Sequence, residues 1–170
     1  MYDRKPLSGS DVGVSPDIIC LSHLRWNFVF QRPQHLMVRF ARNRRVFFVE
    51  EPLFEDIEAP AISVDMHDGV SIVVPRFPRG FDERQTIAAQ RDALDDLIAR
   101  AGLTSYVLWY YTPQALRFSD HLRPTAVVYD CMDELSAFKG ASSNLPELEQ
   151  RLMARADLVL TGGQSLYEAK

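Results

Sequence analysis

The amino-acid sequence predicts a Rossmann-like α/β domain, an open, twisted and mostly parallel sheet with helices on both faces. Short apolar runs alternate along the chain with segments of helical periodicity, which is the order of parallel strands and their crossover helices. Helix start and stop signals fall between those runs, so each crossover has its own boundaries. The 170 residues suit one domain and are too few for two of ordinary size.

Six apolar runs are predicted to form the strands. Each is five or six residues long and is followed by a polar or glycine-containing segment. In chain order they are residues 17–21, 45–50, 70–74, 106–110, 126–130 and 157–161. Pro52, Pro60 and several acids lie between the second and third runs, and they predict a surface loop there.

Helix boundary signals place the crossover helices. Pro33 suits a first helical turn, because its missing N–H would be unpaired there anyway. Asp82 and Gln85 have the spacing of a capping box, and Gly102 is a stop signal for the helix that they begin. A short helix is predicted to open at Pro113.

Two more helix starts lie near the end of the chain. Asn144 and Glu147 are predicted to cap one helix, and Ser165 and Glu168 form an S-x-x-E capping box for another. That last helix has room for barely one turn, which is marginal in isolation. We therefore expect the chain to come from a longer parent protein; a frayed terminal turn is the alternative.

Composition and charge exclude several classes of protein. The net charge of −4 argues against a general nucleic-acid binder, which needs a basic surface. No apolar run approaches the roughly 18 to 20 residues of a membrane span. Residues 1–16 are polar, lack the apolar region of a secretory signal, and are predicted to be a loose leader before a domain at 17–170. Cys20 and Cys131 lie among apolar residues and predict buried free thiols in a cytoplasmic protein.

Ligands of open parallel sheets bind beyond the carboxyl ends of the strands, near the point where strand order reverses. The segment after the first strand offers donors for hydroxyls or phosphate, an aromatic face for a sugar ring, and a helix N-terminus for anions. The alternative is that its aromatic residues only plug the edge of the sheet. A G-x-G-x-x-G motif is missing, which argues against a dehydrogenase. The substrate-binding candidates here are His23, Arg25, Trp26, Asn27, Gln31 and Arg32.

Three other strand ends add further substrate-binding candidates. Glu50 ends the second strand and is predicted to reach a substrate hydroxyl; that Glu50 and Glu51 are both solvated is an equal alternative. Tyr111 and Thr112 follow the fourth strand and form an aromatic and polar lip. Gly162 and Gly163 follow the sixth, where two glycines allow either close approach to a ligand or a tight turn.

The fifth strand ends in a cluster of three acids, Asp130, Asp133 and Glu134, of which Asp130 and Asp133 are the candidate catalytic residues. They are predicted to act as a general base or to hold a hydroxyl; capping the next segment is the alternative. Spacing alone suggests oxygen ligands here, so no metal site is assigned.

A run of four arginines ends the first predicted helix. Cations favour a helix C-terminus, so the helix dipole accounts for the run without a partner. Peripheral contact with an anionic membrane is the alternative. The residues are Arg39, Arg42, Arg44 and Arg45.

Four stretches of the chain resemble the N-terminal half of bacterial group 1 glycosyltransferases: CLSHLRWNFVFQRPQHLMVRFA, RVFFVEEP, VVYDCMDELSAFKG and RADLVLTGGQSLYEAK. The resemblance implies the GT-B architecture, in which two Rossmann-like domains face each other across a cleft. The first domain holds the acceptor, and the second binds the nucleotide sugar, usually without a metal. The chain departs from the family after the first strand, where the glycine-rich loop is missing, and at residues 110–112, where many relatives have a histidine. No catalytic base is therefore carried over.

The resemblance implies a hexosyltransferase that moves a sugar from a nucleotide sugar to a polysaccharide, lipid-linked or small-molecule acceptor, such as a cell-envelope polysaccharide. The donor would bind mainly to a C-terminal domain absent from this chain, so the chain alone is expected to be inactive. No cofactor is expected beyond the donor. The alternatives are a non-catalytic Rossmann-like binding module and a hydrolase that uses the acid cluster.

Overall fold

The computed structural model describes residues 15–133 and 143–169. Within them the chain forms eight strands and five α-helices, with one short 3-10 turn at Pro113–Ala115. The strands are β1 (Asp17–Leu21), β2 (Val46–Val49), β3 (Leu53–Glu55), β4 (Ala61–His67), β5 (Val70–Pro78), β6 (Tyr106–Tyr110), β7 (Ala126–Cys131) and β8 (Leu158–Thr161). The helices are α1 (Arg32–Phe40), α2 (Glu83–Ala101), α3 (Leu116–Ser119), α4 (Leu145–Arg155) and α5 (Gln164–Ala169).

The strands form one sheet with an almost wholly parallel core. From one edge to the other the order is β4, β5, β2, β1, β6, β7 and β8, with β3 also pairing with β5. Only the pairing of β4 with β5 is antiparallel. The six predicted strands thus lie in the order third, second, first, fourth, fifth, sixth, which is the Rossmann arrangement. The predicted fold class is confirmed, and strand order reverses between β1 and β6.

The predicted surface loop between the second and third runs was wrong in part, because it contains β3 and β4. Strand β4 is largely exposed at the sheet edge, so it lacks the apolar pattern by which the buried strands are recognised. A two-residue turn joins it to β5, with φ of +49° at Asp68 and +82° at Gly69. Positive φ at both positions is the geometry of a type I′ hairpin turn, for which Asp-Gly is a strong signal. That dipeptide was the available clue.

Strand β3 continues β2 along the same side of β5, after one extra residue. Val49 pairs with Val73, whereas Leu53, four residues later, pairs with Arg76, only three residues later. Such a bulge leaves one residue without a partner and re-aims the side chains around it. It falls at residues 50–52, on the edge where ligands of such sheets bind.

Apolar side chains on both faces of the sheet hold the helices in place. On one face Leu94, Leu116 and Leu152 bring α2, α3 and α4 onto a cluster that contains Leu108. On the other face α1 contributes Met37, which packs with the residues of the central strands. Full burial of one such side chain stabilises the fold by about 1.5–3 kcal/mol. The predicted helices on both faces are confirmed.

Three of the five predicted helix starts are confirmed in detail, and one of them is Pro113, which opens the 3-10 turn that leads into α3. The Asp82 side chain accepts from the Gln85 N–H at 2.7 Å, the Gln85 side chain accepts from the Asp82 N–H at 2.9 Å, and the helix ends at Gly102 with a φ of +60°. Pro33 lies in the first turn of α1, as predicted.

The last two predicted caps differ in outcome: Asn144 is at the N-cap position of α4, as predicted, whereas Ser165 is not at that of α5. Asn144 makes no side-chain cap bond at the start of α4, because its backbone is already near the helical conformation (φ −87°, ψ −2°) and its side chain is turned toward Gln114. Helix α5 begins at Gln164, so Ser165 lies inside its first turn and is not the N-cap.

Cys20 and Cys131 are both buried, and neither forms a disulfide, as predicted. Burial, assisted by the negative charge of Asp130, raises the pKa of the Cys20 thiol well above its usual value. Within residues 15–133 and 143–169, no helix is long and apolar enough to cross a membrane. The predicted leader falls outside the described residues over 1–14.

Candidate functional site

The carboxyl ends of the parallel strands form one edge of the sheet, with the reversal of strand order between β1 and β6 at its middle. The residues predicted to belong to a site lie in the last residues of these strands, in the segments that follow them or at the start of α1, and so along this edge. The edge has two faces. One carries α1 and the charged residues after β1 and β7; the other carries α2, α3 and a cavity.

A buried glutamine, which the sequence analysis did not select, organises the loop after β1. The Gln34 Nε2 donates to the carbonyl oxygens of Trp26 and Val29, both at 2.9 Å. The Gln34 Oε1 accepts from the Gln31 N–H at 3.0 Å. The spacing of three residues between Gln31 and Gln34, at the start of a helix, was the signal that could have identified it.

The start of α1 offers little to an anion, contrary to expectation. Its second residue is Pro33, which has no N–H, and the Gln31 N–H is already bonded within the loop. The polar groups at this helix start therefore serve the loop itself. Asn27 is exposed farther out, and Gln31 is half-buried at the helix start.

Glu50 joins the end of β2 to the same loop. Its Oε1 accepts from the Trp26 N–H at 2.7 Å, and its Oε2 forms an ion pair with Arg25 at 2.8 Å. The Trp26 ring is 6% exposed and meets Phe48 edge-on, with ring centroids 5.0 Å apart. Trp26 thus fills the edge of the sheet, which was the alternative interpretation, and offers no open face to a sugar ring. Arg25 also donates to the Glu51 carbonyl at 2.6 Å.

Arg32 and Asp130 form an ion pair across two strand ends, which we call the anchored pair. The Arg32 Nη2 lies 2.9 Å from the Asp130 Oδ1; the Arg32 side chain is 37% exposed and that of Asp130 is fully buried. The Arg32 Nη1 also approaches the Thr161 carbonyl oxygen at 3.5 Å. A guanidinium held from beneath in this way keeps one side free toward the edge.

Burial raises the pKa of the Asp130 carboxyl, and the Arg32 charge opposes that rise. The Tyr111 hydroxyl and the Trp109 side chain lie next to the carboxylate and oppose it further. Because Asp130 has no exposed surface, its geometry fits a residue that positions Arg32. It does not fit direct contact with a substrate.

His23, Tyr111 and Asp133 meet on the same face of the edge. Burial lowers the pKa of His23, while a backbone contact from Tyr111 and the charge of Asp133 oppose that shift. The Tyr111 ring is buried, and the pKa of its hydroxyl is raised by burial. Asp133 is exposed. An exposed carboxylate beside a half-buried imidazole can accept or relay a proton. Glu134 lies outside the described residues.

The two glycines after β8 differ in their surroundings. A Cβ on Gly162 would lie 2.5 Å from the Met132 carbonyl oxygen, so the chain needs glycine there to pack against β7. A Cβ on Gly163 would meet nothing within 4 Å. Gly162 therefore serves chain packing, which neither the ligand nor the tight-turn interpretation included, and Gly163 remains open toward solvent.

The other face of the edge holds a cavity of about 280 Å³, which we call the crevice. It opens between the ends of β1, β2 and β6 and helices α2 and α3. Its polar lining includes Glu50, Glu51, Gln90, Thr112 and Arg117. Thr112 is mostly buried, and its hydroxyl accepts from the Gln114 N–H at 3.3 Å. Burial raises the pKa of the Glu51 carboxyl, and the charge of Arg25 opposes the rise.

The arginine run lies at the far end of α1, away from this edge. Arg45 pairs with Asp17 at 2.6 Å, and the Arg44 guanidinium lies 5.8 Å from the centroid of the Phe40 ring. Arg39 donates to the carbonyl oxygen one turn earlier in its own helix. Among the described residues, no group of three or more His, Cys, Asp or Glu has the arrangement of a metal site.

No protein-family model and no curated protein sequence matches the chain. Two solved structures resemble it in fold. A trehalose-6-phosphate synthase from E. coli bound with UDP-2-fluoro glucose aligns with a TM-score of 0.50 and 8% identity. The α,α-trehalose-phosphate synthase (UDP-forming) from Burkholderia xenovorans, in complex with glucose-6-phosphate, aligns with a TM-score of 0.48 and 10% identity.

Each alignment covers 85% of this chain, and the chain spans only 39% of the length of each of those proteins. At such low identity the likeness concerns the fold alone. The chain has the Rossmann-like α/β fold of a GT-B half-domain.

Proposed function

We propose that this chain is the acceptor-side, N-terminal half of a sugar-nucleotide glycosyltransferase, whose donor-binding half is a second domain of the parent protein. The observation that carries the proposal is the convergence of His23, Arg32 and Asp133 on one edge of a Rossmann-ordered sheet, beside the crevice. Ligands of such sheets bind at this edge, where strand order reverses. The fold likeness to GT-B enzymes supports the same assignment.

Arg32 would face the reacting centre as a fixed positive charge. Transfer from a nucleotide sugar leaves a nucleoside diphosphate, and positive charge stabilises that leaving group. The anchored pair supports this role, because Asp130 holds the guanidinium from the buried side at 2.9 Å. A charge that is already oriented loses little freedom during the reaction. The missing domain would supply most of the remaining stabilisation.

Asp133 would take up or orient the proton of the acceptor hydroxyl. Its exposure and its proximity to His23 support this role. Burial favours the neutral imidazole of His23, which accepts hydrogen bonds from hydroxyls. Asp130, proposed from the sequence as catalytic, becomes a positioning residue behind Arg32.

The first experiment tests whether the nucleotide sugar binds to a domain other than this one. Calorimetric titration of the 170-residue chain with UDP-glucose and GDP-mannose should show binding weaker than millimolar, because the donor site would lie on the other domain. The gene should also continue in frame beyond codon 170 into a second Rossmann-like domain. Micromolar binding of either nucleotide sugar by this chain would contradict the proposal, as would a stop codon directly after Lys170.

The roles of the edge residues are tested in the parent protein. Arg32→Ala and Asp133→Asn should each lower kcat for sugar transfer by at least tenfold, because they act on the leaving group and the acceptor hydroxyl. The matched controls are Arg42→Ala and Asp65→Asn, which alter exposed residues away from the edge and should leave kcat unchanged. Because Arg32→Ala also removes the countercharge of the buried Asp130, kcat of each variant is measured at a temperature at which its thermal unfolding curve shows the protein to be fully folded; an unchanged kcat under that condition would make Arg32 and Asp133 structural residues.

A further inference from the structure

The crevice has an apolar floor and a polar rim. Leu21, Val49 and Ala115 line its inner part, and Phe54 stands at its mouth with 44% of its surface exposed. An exposed aromatic ring beside polar groups suits a ligand with one apolar and one hydrated face. The pyranose ring of a sugar has this character.

Most polar groups of the rim are already engaged. The Ser22 hydroxyl bonds to the backbone of Leu24, the Thr86 hydroxyl donates to the Asp82 carbonyl at 2.8 Å, and Thr112 caps the turn that follows β6. Ser22 and Thr86 therefore shape the crevice without offering a donor to a ligand, and Thr112, whose oxygen only accepts, keeps its O–H.

Two side chains of the rim retain all of their hydrogen-bonding capacity. Across residues 15–133 and 143–169, neither the Gln90 amide nor the Glu51 carboxylate has a hydrogen-bond partner. An amide offers two donors and an acceptor, and a carboxylate accepts from hydroxyls. Hydroxyl groups are therefore the natural partners of both.

The charges around the crevice disfavour an anion. Its one cationic side chain in the described lining, Arg117, is paired with Glu83 at 2.7 Å. The nearby Arg25 is paired with Glu50 at 2.8 Å. Among the described residues Glu51 has no ion-pair partner within 4 Å, and Arg25, whose charge acts on it, forms its ion pair with Glu50, so a phosphate placed beside Glu51 would be repelled.

We infer that the crevice binds an uncharged, hydroxyl-bearing sugar ring and rejects sugar phosphates. The inference rests on the proposed function in one respect, since the ring would belong to the acceptor. Glu51 and Gln90 would bond its hydroxyls, and Phe54 would cover its apolar face. Selection against phosphate is then a property of Glu51, because that residue supplies a negative charge that forms no ion pair within 4 Å in the described part of the chain.

The test compares three probes on the 170-residue chain by ¹H–¹⁵N NMR titration: methyl α-D-glucopyranoside, methyl α-D-mannopyranoside and glucose 6-phosphate. At least one methyl glycoside should shift the Gln90 side-chain amide and the backbone signals of residues 50–54. Glucose 6-phosphate should bind there at least tenfold more weakly. Glu51→Lys should remove or reverse this preference, and Glu51→Gln should reduce it. Asp65→Lys makes the same charge change on exposed β4 and should leave the preference unchanged.

The outcomes separate this inference from the proposed function. Glucose 6-phosphate binding in the crevice as tightly as the methyl glycosides would overturn the inference alone, as would an unchanged preference in Glu51→Lys. Shifts confined to residues 22–32 and 130–133 would also overturn it, while leaving the acceptor-side assignment in place. If no probe shifts any signal of the edge, both proposals fail.

Discussion

The two faces of the strand edge use their polar groups in opposite ways. In the anchored pair, Asp130 is fully buried and its charge is committed to Arg32. In the crevice, Glu51 and Gln90 line open space and have no hydrogen-bond partner among the described residues. The first arrangement holds a charge in a fixed position, and the second leaves hydrogen-bonding groups available to a ligand. Proximity to the edge alone therefore does not identify a ligand-binding residue. Polar atoms that are not already bonded within the protein are what identify one.

The largest expected difference between the faces is in stability. Arg32→Ala should lower the free energy of unfolding by about 3 kcal/mol, because it leaves the buried Asp130 carboxylate without its countercharge. Gln90→Ala and Glu51→Gln should each change it by less than about 0.5 kcal/mol, since they break no internal bond. Guanidinium-induced unfolding of the three variants measures the contrast, and similar values for all three would abolish it.

A double-mutant cycle then sharpens this prediction. Asp130→Ala combined with Arg32→Ala should cost less than the sum of the two single substitutions, because the uncompensated charge is absent from the double variant. Strict additivity would mean that the pair is not coupled.

An effect of intermediate size is expected where β8 meets β7. Gly162→Ala should destabilise the protein by about 2 kcal/mol, because its Cβ would be forced against the Met132 carbonyl. Gly163→Ala is the matched control; its Cβ meets nothing within 4 Å and its backbone lies outside the left-handed region, so a change below about 0.5 kcal/mol is expected. Equal effects in thermal unfolding would show that Gly162 is no tighter than its neighbour.

The smallest expected effect is a pH dependence on the face of the anchored pair. Because burial lowers the pKa of His23 below 6.5, the unfolded chain takes up this proton first as the pH falls. The stability that the neutral imidazole contributes is therefore present above pH 6.5 and is lost as the pH falls below it. His23→Gln should flatten the slope of unfolding free energy against pH in that window. The same substitution at exposed His67 serves as the control, and an unchanged slope in His23→Gln would show that the imidazole is not buried in solution.

The sequence was sufficient for the fold because the central strands are buried on both faces and their helices have local boundary signals. The capping box of Asp82 and Gln85 and the C-cap at Gly102 each depend only on residues that are close together in the sequence. Strand β4 was missed because an exposed edge strand is stabilised mainly by its pairing with β5, which leaves no apolar pattern. The cap at Ser165 failed because serine occurs inside helix turns as well as before them, and Asn144, although at the N-cap position, has its side chain turned toward Gln114.

The candidate site was predicted at the level of the edge but not of individual roles. Strand order brings His23, Arg32 and Asp133 to one edge, and the sequence already places each after a strand or at the start of a helix. Whether a polar residue faces its neighbours or a ligand depends on side-chain contacts across the fold. Trp26 looked like a sugar platform and packs on Phe48, whereas the sequence analysis passed over Gln34, which holds the whole loop.

The extra residue between β2 and β3 makes the rim of the crevice adjustable by chain length. The pairing of β2 with β5 does not depend on the length of the segment at residues 50–52. The positions of Leu53 and Phe54 along β5 do depend on it, because that segment sets the register of β3. We expect homologous domains to differ here by single insertions or deletions, which would slide Phe54 along β5 and resize the opening without disturbing the inner sheet. The insertion or deletion of one residue would thus change which ligands enter the crevice and would require no substitution in the core.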